Sequence, residues 1–278
     1  MDAFWIILTG SLVGIIGSLL GSFLVLRRMA MIGDAISHAV LPGIVIAFLI
    51  SETRASLIML IGAAITGVLT TMLIEFIHKR FRLQSDASIG IVFTLMFAIG
   101  IILIASLAGQ VDLDQDCVLY GEIAYIPLDL WITKSGMNMG PWTVWLLSGT
   151  FLIVLGTIIW GYRGFYATTF DATFTASIGI STIFWHYLLM GLVSLTTVVS
   201  FEAVGAILVV AFLVAPALTA YLLTDKLVNM LVIGSITGIL AAISGYYLAY
   251  LLDASIAGCM ATMNGVLFAL AFGWYRMK

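Results

Sequence analysis

The stretch Arg27–Ala47, RRMAMIGDAISHAVLPGIVIA, determines how the rest of the chain is interpreted. It opens with two arginines and continues into apolar sequence that we expect to enter a membrane. Asp34 and His38 lie inside this apolar run, where ionisable groups are costly and usually face a protein interior or a water-filled path. Because they are four residues apart, their side chains lie on one face of a helix. A carboxylate and an imidazole so placed supply half of a divalent-metal site.

Pro42 adds a third candidate ligand to this face. A proline has no N–H, so the carbonyl of His38 loses its helical hydrogen-bond donor and is free to accept from elsewhere. The alternative is that Asp34 caps the new helix from its first turn and that His38 bonds a neighbouring helix. The nearby proline, and the scarcity of ionisable residues in the other apolar segments, favour the metal-binding interpretation.

The composition is that of an integral membrane protein. Of the 278 residues, 63% are hydrophobic and 9% are charged, against roughly 25% charged residues in soluble domains. We expect an all-α polytopic fold of about nine transmembrane helices, with eight to ten as the range, forming a single transmembrane domain over 1–278. The start of the chain lacks the basic leader of a signal peptide, so we expect the first hydrophobic run to be retained as a membrane helix. The net charge of −3 comes with no basic patch large enough for nucleic acid.

Nine hydrophobic segments are predicted as spans. They cover residues 4–26, 34–50, 55–78, 88–108, 141–162, 184–200, 203–223, 227–252 and 256–275. The almost continuous run 183–223 is divided at Ser200–Glu202, because about 40 apolar residues are too long for one span. Two cysteines, Cys117 and Cys259, have no metal-binding spacing, and a disulfide between them stays open.

The basic residues predict the orientation of the chain in the membrane. Only Arg54 and Lys134 fall on one side of the predicted spans, and nine fall on the other: Arg27, Arg28, Lys79, Arg80, Arg82, Arg163, Lys226, Arg276 and Lys278. Positive residues concentrate in the cytoplasm, so the N-terminus is expected outside and the C-terminus in the cytoplasm. His38 then lies about 15 Å along a helix from Arg28, near the middle of the bilayer, where transporters place their sites.

The longest loop, 109–140, is external in this orientation and acidic. It contains Asp112, Asp114, Asp116, Glu122 and Asp129 against a single Lys134. Such a mouth raises the local concentration of cations, although acidic residues also simply solvate a loop. Its apolar part, CVLYGEIAYI, is expected to form a short helix that lies at the surface or re-enters the membrane.

The predicted cytoplasmic segment 170–183 has the pattern of a short amphipathic helix. Phe170, Phe174 and Ile178 recur at four-residue intervals. Asp171 is expected to cap the start of the helix and Gly179 to end it. The apolar stripe either packs beneath its own bundle or docks into a partner.

Other residues mark the walls and ends of a possible path. Pro216 frees the carbonyl of Phe212 and is expected to kink its helix, so Pro42 and Pro216 indicate two helices beside the path, with a static kink as the alternative for Pro216. His186, near the cytoplasmic start of its segment, is a candidate exit ligand. Glu202, at the expected external turn, is a candidate gate. For both, ordinary polar surface is the alternative.

Small residues also recur in the first segment. Gly10, Gly14, Gly17 and Gly21 follow the spacing of closely packed membrane helices. This pattern predicts that another helix approaches the first segment closely.

Three blocks, at 33–47, 112–129 and 200–224, resemble the membrane subunits of bacterial metal-ion ABC importers, which take up manganese, zinc and iron. The run VDLDQDCVLYGEIAYIPLD is similar in particular to the manganese-importing members. The segment TTFDATFTASIGIS resembles the part of these permeases that meets the ATPase. Asp171, Phe174, Gly179 and Ile180 match that pattern, whereas Thr175 stands where alanine is usual.

The resemblance implies a transporter subunit that is not itself an enzyme. Its cargo would be Mn²⁺, Zn²⁺ or Fe²⁺, with no permanently bound cofactor. Its partners would be cytoplasmic ABC ATPase subunits, an external metal-binding solute-binding protein, and a second permease chain in a homodimer or a paralogous heterodimer. The location implied is the cytoplasmic membrane of a bacterium.

The residues agree with this assignment and leave two rivals open. The chain has no G-x-x-x-x-G-K-[ST] phosphate loop, so it needs energy from a partner or an ion gradient. A carboxylate with an imidazole suits manganese, iron or zinc better than magnesium. The rivals are a self-sufficient secondary metal–proton transporter and a non-transporting membrane scaffold.

Overall fold

The computed structural model describes residues 2–51, 56–107, 123–132 and 138–277, and these are predominantly helical. The helices are α1 (Asp2–Leu26), α2 (Ile32–Ala39), α3 (Leu41–Ser51), α4 (Ser56–Phe81), α5 (Ser85–Leu107), α6 (Trp142–Phe170), α7 (Ala172–Ser177), α8 (Thr182–Val204), α9 (Ala206–Leu223), α10 (Leu227–Leu252) and α11 (Ile256–Met277). Between α5 and α6 lie a 3₁₀ helix, Ile123–Leu128, and two antiparallel strands, β1 (Leu130–Ile132) and β2 (Asn138–Pro141).

The predicted all-α polytopic fold is confirmed. Within the described residues, nine helical stretches are long and apolar enough to cross a membrane, with α2 and α3 together forming one stretch over Ile32–Ser51. A helix satisfies its backbone hydrogen bonds internally, which is why apolar spans of this length adopt it in lipid. The orientation of the termini stays a prediction.

Two predicted boundaries are wrong. The break expected at Ser200–Glu202 does not occur, because α8 continues to Val204 and the chain turns at Gly205, whose φ is +79°. That backbone conformation favours glycine, which has no Cβ to clash. Glu202 therefore lies in the last turn of a helix and not in an external turn. In addition, the span expected to end at residue 162 continues to Phe170.

One compact unit is formed by the described residues within the ranges Met1–Ala30, Cys117–Trp185 and Ser200–Lys278. Helix α1 packs against α6, α9 and α10 in this unit. A Cβ added at Gly14 would lie 3.0 Å from the carbonyl carbon of Gly238 in α10, and one added at Gly21 would overlap the carbonyl oxygen of Leu213 in α9. The close helix packing predicted from the small residues of α1 is therefore confirmed.

The other compact unit is formed by the described residues within the ranges Met31–Asp116 and His186–Val199. Helices α2 and α3 pack against α4 and α5. The side chain of Ser194, in α8, donates a hydrogen bond to the backbone oxygen of Ala64 in α4 at 3.3 Å. This unit contains Asp34 and His38.

Candidate metal centre

Asp34 and His38 lie on one face of α2, as their spacing predicts. The Nε2 atom of His38 is 3.6 Å from the Oδ1 atom of Asp34. The other residues of the helix are buried, whereas the side chains of His38 and Asp34 are 24% and 40% exposed. Both candidate ligands therefore lie on the less covered face of α2.

Two phenylalanines of α5 hold the imidazole in place. The ring centroid of His38 is 5.4 Å from that of Phe93 and 6.0 Å from that of Phe97. Ring contacts of this kind contribute about 0.5–1.5 kcal/mol beyond the buried area. They also limit the rotation of the imidazole and keep water from one side of it. This contact was not predicted, because no sequence motif in α5 singles out these two rings.

The start of α2 differs from the expected one. Met31 occupies the N-cap position and makes no side-chain cap hydrogen bond, so Asp34 is not the N-cap residue, but it does lie in the first turn, where a carboxylate interacts favourably with the helix dipole. Because the helix begins at Ile32, His38 lies only about 10 Å of helix from Met31. The expected 15 Å counted from Arg28 is therefore too long, and the depth of the pair in the bilayer stays a prediction.

The irregularity near Pro42 is mild. Val40, between α2 and α3, has near-helical angles (φ −77°, ψ −13°), and its N–H donates to the carbonyl of Ile36 at 3.1 Å. Pro42 is buried and supplies no N–H to the carbonyl of His38. A Cβ added at Gly43 would lie 2.8 Å from the Cβ of Thr66, so α3 is held tightly against α4. The use of the His38 carbonyl as a ligand stays a prediction.

The pair supplies only two protein side-chain ligands. Across the described ranges, no group of three or more His, Cys, Asp or Glu side chains is placed to hold a metal ion. Two ligands bind a divalent ion weakly, since such ions take four or more. Further ligands have to come from the backbone, water or another chain.

The structure places only some of the other candidate residues. Pro216 lies inside the continuous helix α9. His186 lies in α8, with its Nε2 atom 3.7 Å from Oε2 of Glu75, a residue that sequence analysis did not single out. The side chain of Glu202 is exposed. The acidic residues Asp112, Asp114, Asp116 and Glu122, like Cys117, lie outside the described residues, and their roles stay predictions.

The cytoplasmic segment has the predicted caps. The carboxylate of Asp171 accepts a hydrogen bond from the N–H of Phe174 at 2.8 Å. Gly179, with φ +82°, follows the helix in a conformation that favours glycine. Thr175 is buried, and its hydroxyl donates to the carbonyl of Asp171 at 2.6 Å, so the residue that departs from the family pattern has its polar group satisfied within the helix.

The apolar stripe of this segment is uncovered. Phe170, Phe174 and Ile178 are 53%, 60% and 55% exposed. One detail differs from the prediction, because Phe170 is the last residue of α6 and the short helix α7 has only six residues. Of the two alternatives for the stripe, this geometry favours docking into a partner.

Arg27 fixes the end of α6, from which the short helix follows. Its guanidinium donates to the hydroxyls of Thr168 and Thr169 at 2.9 Å and 3.0 Å. Burial lowers the pKa of Arg27 to about 10, so the side chain still carries its charge at neutral pH. From the sequence alone, this arginine serves only as a marker of orientation. In the structure it ties α1 to the segment that leads into α7.

Comparison with known proteins supports the resemblance over almost the whole chain. The model of the ABC 3 transport family matches residues 3–274. The manganese transport system membrane protein MntD of Bacillus subtilis (strain 168) is 47% identical over 268 residues, which cover 96% of this chain and 90% of that protein. The zinc transport system membrane protein TroD of Treponema pallidum (strain Nichols) is 40% identical over 273 residues, covering 96% of this chain and 72% of TroD.

A solved structure agrees with these relatives. PsaBC from Streptococcus pneumoniae, in complex with Fab, superposes with a TM-score of 0.78 and 30% identity, covering 96% of this chain and 90% of that chain. The match of a family model to nearly every residue, together with relatives that align over 96% of the chain, leads to one conclusion: this multi-pass membrane protein belongs to the ABC 3 transport family, which includes manganese and zinc transport permeases.

Proposed function

We propose that the chain is the transmembrane permease of an ATP-driven importer of divalent metal ions, with Mn²⁺ as the favoured cargo and Zn²⁺ or Fe²⁺ as alternatives. The observation that carries the proposal is the Asp34–His38 pair on the open face of a membrane-spanning helix. Ionisable residues within a span are kept where they serve a path or a site. The family of the chain and the manganese transport relatives support this choice of cargo.

A second permease chain completes the site in this proposal. The pair offers one carboxylate and one imidazole, and its face of α2 is open. A symmetric partner contributes the same two groups across a shared axis, and a paralogous partner contributes equivalent ones. Two chains together supply four side-chain ligands, and the carbonyl of His38 is a further candidate. This number is sufficient to coordinate Mn²⁺ or Zn²⁺.

Direction follows from the distribution of charge. With the N-terminus outside and the C-terminus in the cytoplasm of a bacterium, the acidic loop 109–140 faces outward, where it gathers cations or receives a metal-binding solute-binding protein. The helices that contain Pro42 and Pro216 are the ones that we propose to lie beside the path of the ion. Glu202 and His186 are the proposed gate and exit residues.

Energy is supplied by a separate ATPase in this proposal. The exposed stripe of Phe170, Phe174 and Ile178 is the docking surface, and the cap at Asp171 keeps its short helix formed when the ATPase moves. An exposed apolar stripe on the cytoplasmic side needs a partner to cover it. Neither a secondary transporter nor a scaffold needs such a surface.

Replacing Phe174 with alanine is expected to uncouple ATP hydrolysis from transport. The substitution removes the most exposed ring of the stripe and leaves the cap at Asp171 intact. Buried aromatic anchors contribute about 2 kcal/mol or more to interfaces, so uptake should fall at least about tenfold while Mn²⁺ binding to the permease is retained. Uptake and binding are measured on the same reconstituted complex. Phe272→Ala, in α11, is the matched control, and equal losses in both variants would contradict a docking role.

The overall proposal is tested by uptake of radioactive Mn²⁺ into proteoliposomes that contain the complete complex. Import is expected to need ATP and the ATPase subunits, and to survive a protonophore. Zn²⁺ and Fe²⁺ in competition then rank the cargo. Transport by this chain alone that collapses with the proton gradient would support the secondary transporter, and the absence of transport with full ATPase activity would support the scaffold.

A further inference from the structure

A second pair of metal-ligating side chains, Glu75 and His186, joins α4 to α8. The Nε2 atom of His186 lies 3.7 Å from the Oε2 atom of Glu75, and the two side chains are 21% and 16% exposed. That carboxylate oxygen is buried and accepts no hydrogen bond of good geometry from the described residues, and the hydroxyl of Tyr187 interacts with the same carboxylate. A buried carboxylate oxygen without a donor is costly unless a cation faces it. The pair thus offers the same two donor types as Asp34 and His38.

The second pair is displaced from the level of the first pair along the axes of α4 and α8. At the level of the first pair, a Cβ added at Gly67 of α4 would lie 3.2 Å from the side chain of Ile36 and would overlap the hydroxyl of Ser194 in α8. Glu75 follows Gly67 by eight residues, and His186 precedes Ser194 by eight. Because the two helices run antiparallel, both displacements have the same direction and amount to about 12 Å.

The direction of this displacement is toward the cytoplasmic side of the proposed orientation. It leads along α4 to the end of the helix that contains Lys79 and Arg80. Those residues belong to the nine that set the predicted orientation. An ion that moves from the first pair to the second thus moves in the direction of import.

The charges around Glu75 suit brief binding and not storage. The ammonium of Lys79 contacts Oε1, the other oxygen of the Glu75 carboxylate, and the lysine side chain is 65% exposed. Its flexible stem allows it to swing away when a cation arrives and to compete for the carboxylate afterwards. Lys79, Arg80 and Tyr187 line, together with Glu75, an open groove of about 420 Å³. Two positive charges beside this groove oppose retention of a divalent ion.

We propose that Glu75 and His186 form a second, low-affinity site for the transported divalent cation, which the ion occupies after it leaves Asp34 and His38. This inference rests on the proposed function, because it places an exit station on the same path. The cation is transferred between two sites with the same types of ligand, because each site has one carboxylate and one imidazole. Lys79 assists release by returning to the carboxylate.

The first test detects a histidine ligand at the second station by pulsed EPR of Mn²⁺ bound to the full-length chain in lipid nanodiscs. The chain has three histidines, His38, His78 and His186. In an Asp34→Asn/His38→Gln background, weakly bound Mn²⁺ should still show coupling to a nitrogen nucleus. His186→Gln in that background should remove the coupling. His78→Gln should leave it, since the Nδ1 atom of His78 is engaged with the carbonyl oxygen of Leu83 at 2.7 Å.

The second test is a gain of binding, which a misfolded variant cannot produce. Lys79→Met in the same background removes the competing ammonium and should tighten Mn²⁺ binding by about fivefold, the equivalent of one partly exposed ion pair. Lys226→Met, at a position outside the groove, is the control and should have no effect. Glu75→Gln added to Lys79→Met should abolish the gain.

The outcomes separate this inference from the proposed function. The second station is overturned if Lys79→Met does not tighten binding, or if the nitrogen coupling is insensitive to His186→Gln. The proposed function is contradicted by a different result. In that case, the Asp34→Asn/His38→Gln double variant binds Mn²⁺ tightly and imports it as the wild type does. If the double variant loses tight Mn²⁺ binding and shows neither the nitrogen coupling nor the gain from Lys79→Met, the importer proposal is supported. The exit site is then contradicted.

Discussion

Changing His38 to glutamine, or Asp34 to asparagine, is expected to abolish Mn²⁺ uptake while the complex stays assembled and hydrolyses ATP. Residues that only orient a metal ligand cost 10–100-fold in affinity when they are replaced, so removal of a ligand should cost at least about 100-fold. Both substitutions nearly preserve side-chain volume, and both side chains lie on the partly exposed face of α2. The helix should therefore stay folded.

The measurement is ATP-dependent uptake of labelled Mn²⁺ at matched assembly, together with Mn²⁺ binding to the purified permease. His78→Gln is the matched control, because this histidine lies near the end of α4 and contacts a backbone carbonyl. It should leave uptake within about twofold of wild type, the range expected of surface changes. If His38→Gln assembles and imports at the wild-type rate, the pair is structural and the path lies elsewhere.

Gly21→Ala is expected to destabilise the protein strongly. An added Cβ would overlap the carbonyl oxygen of Leu213 and lie 2.9 Å from its carbonyl carbon. These are backbone atoms of the neighbouring helix α9, so no side chain can rotate away, and α1 and α9 would have to separate. Overpacking typically costs 1–3 kcal/mol, and more where the neighbour cannot move, so we expect about 3 kcal/mol or more.

Thermal unfolding in detergent and the yield of monodisperse protein measure this effect. Gly156→Ala, in α6, is the matched control, since no atom lies within 4 Å of the added Cβ. Alanine is the better helix former by about 0.5–1 kcal/mol, so this control should be neutral or slightly stabilising. Equal unfolding temperatures for the two variants would show that α1 and α9 are not in the close contact described.

The two effects separate function from folding within the same protein. Asp34 and His38 are tolerated energetically because their face of α2 is open, and their loss should remove transport alone. Gly21 contacts no ligand, and its loss should remove the folded protein. A variant set that includes both therefore tells whether a loss of uptake comes from the site or from the scaffold.

The sequence alone determined those features that depend on local chain geometry. The apolar composition required helices in lipid, and the 3.6-residue period placed Asp34 and His38 on one face. The cap at Asp171 and the end of α7 at Gly179 were predicted for the same reason, since both depend on residues within one turn. The close approach of another helix to α1 also followed from its regularly spaced glycines.

The helix boundary inside the long apolar run 183–223 could not be predicted from local sequence features. A polar residue such as Ser200 was expected to interrupt the run, yet α8 continues past it and ends only at Gly205. Inside a helix a hydroxyl does not force a break, as Thr219 shows by donating to the carbonyl of Ala215. The chain turns at Gly205, where φ is positive. The composition of the apolar run does not show which residue adopts this backbone conformation.

Only the tertiary structure decided which distant side chains meet. Phe93 and Phe97 lie against His38, and Glu75 meets His186 across two helices, although more than a hundred residues separate that last pair. The exposure of Phe174 could not be predicted from the sequence either. An apolar stripe has the same sequence pattern whether another element covers it or not. Contacts of this kind depend on the packing and relative register of helices, and the spacing of residues within one helix does not contain that information.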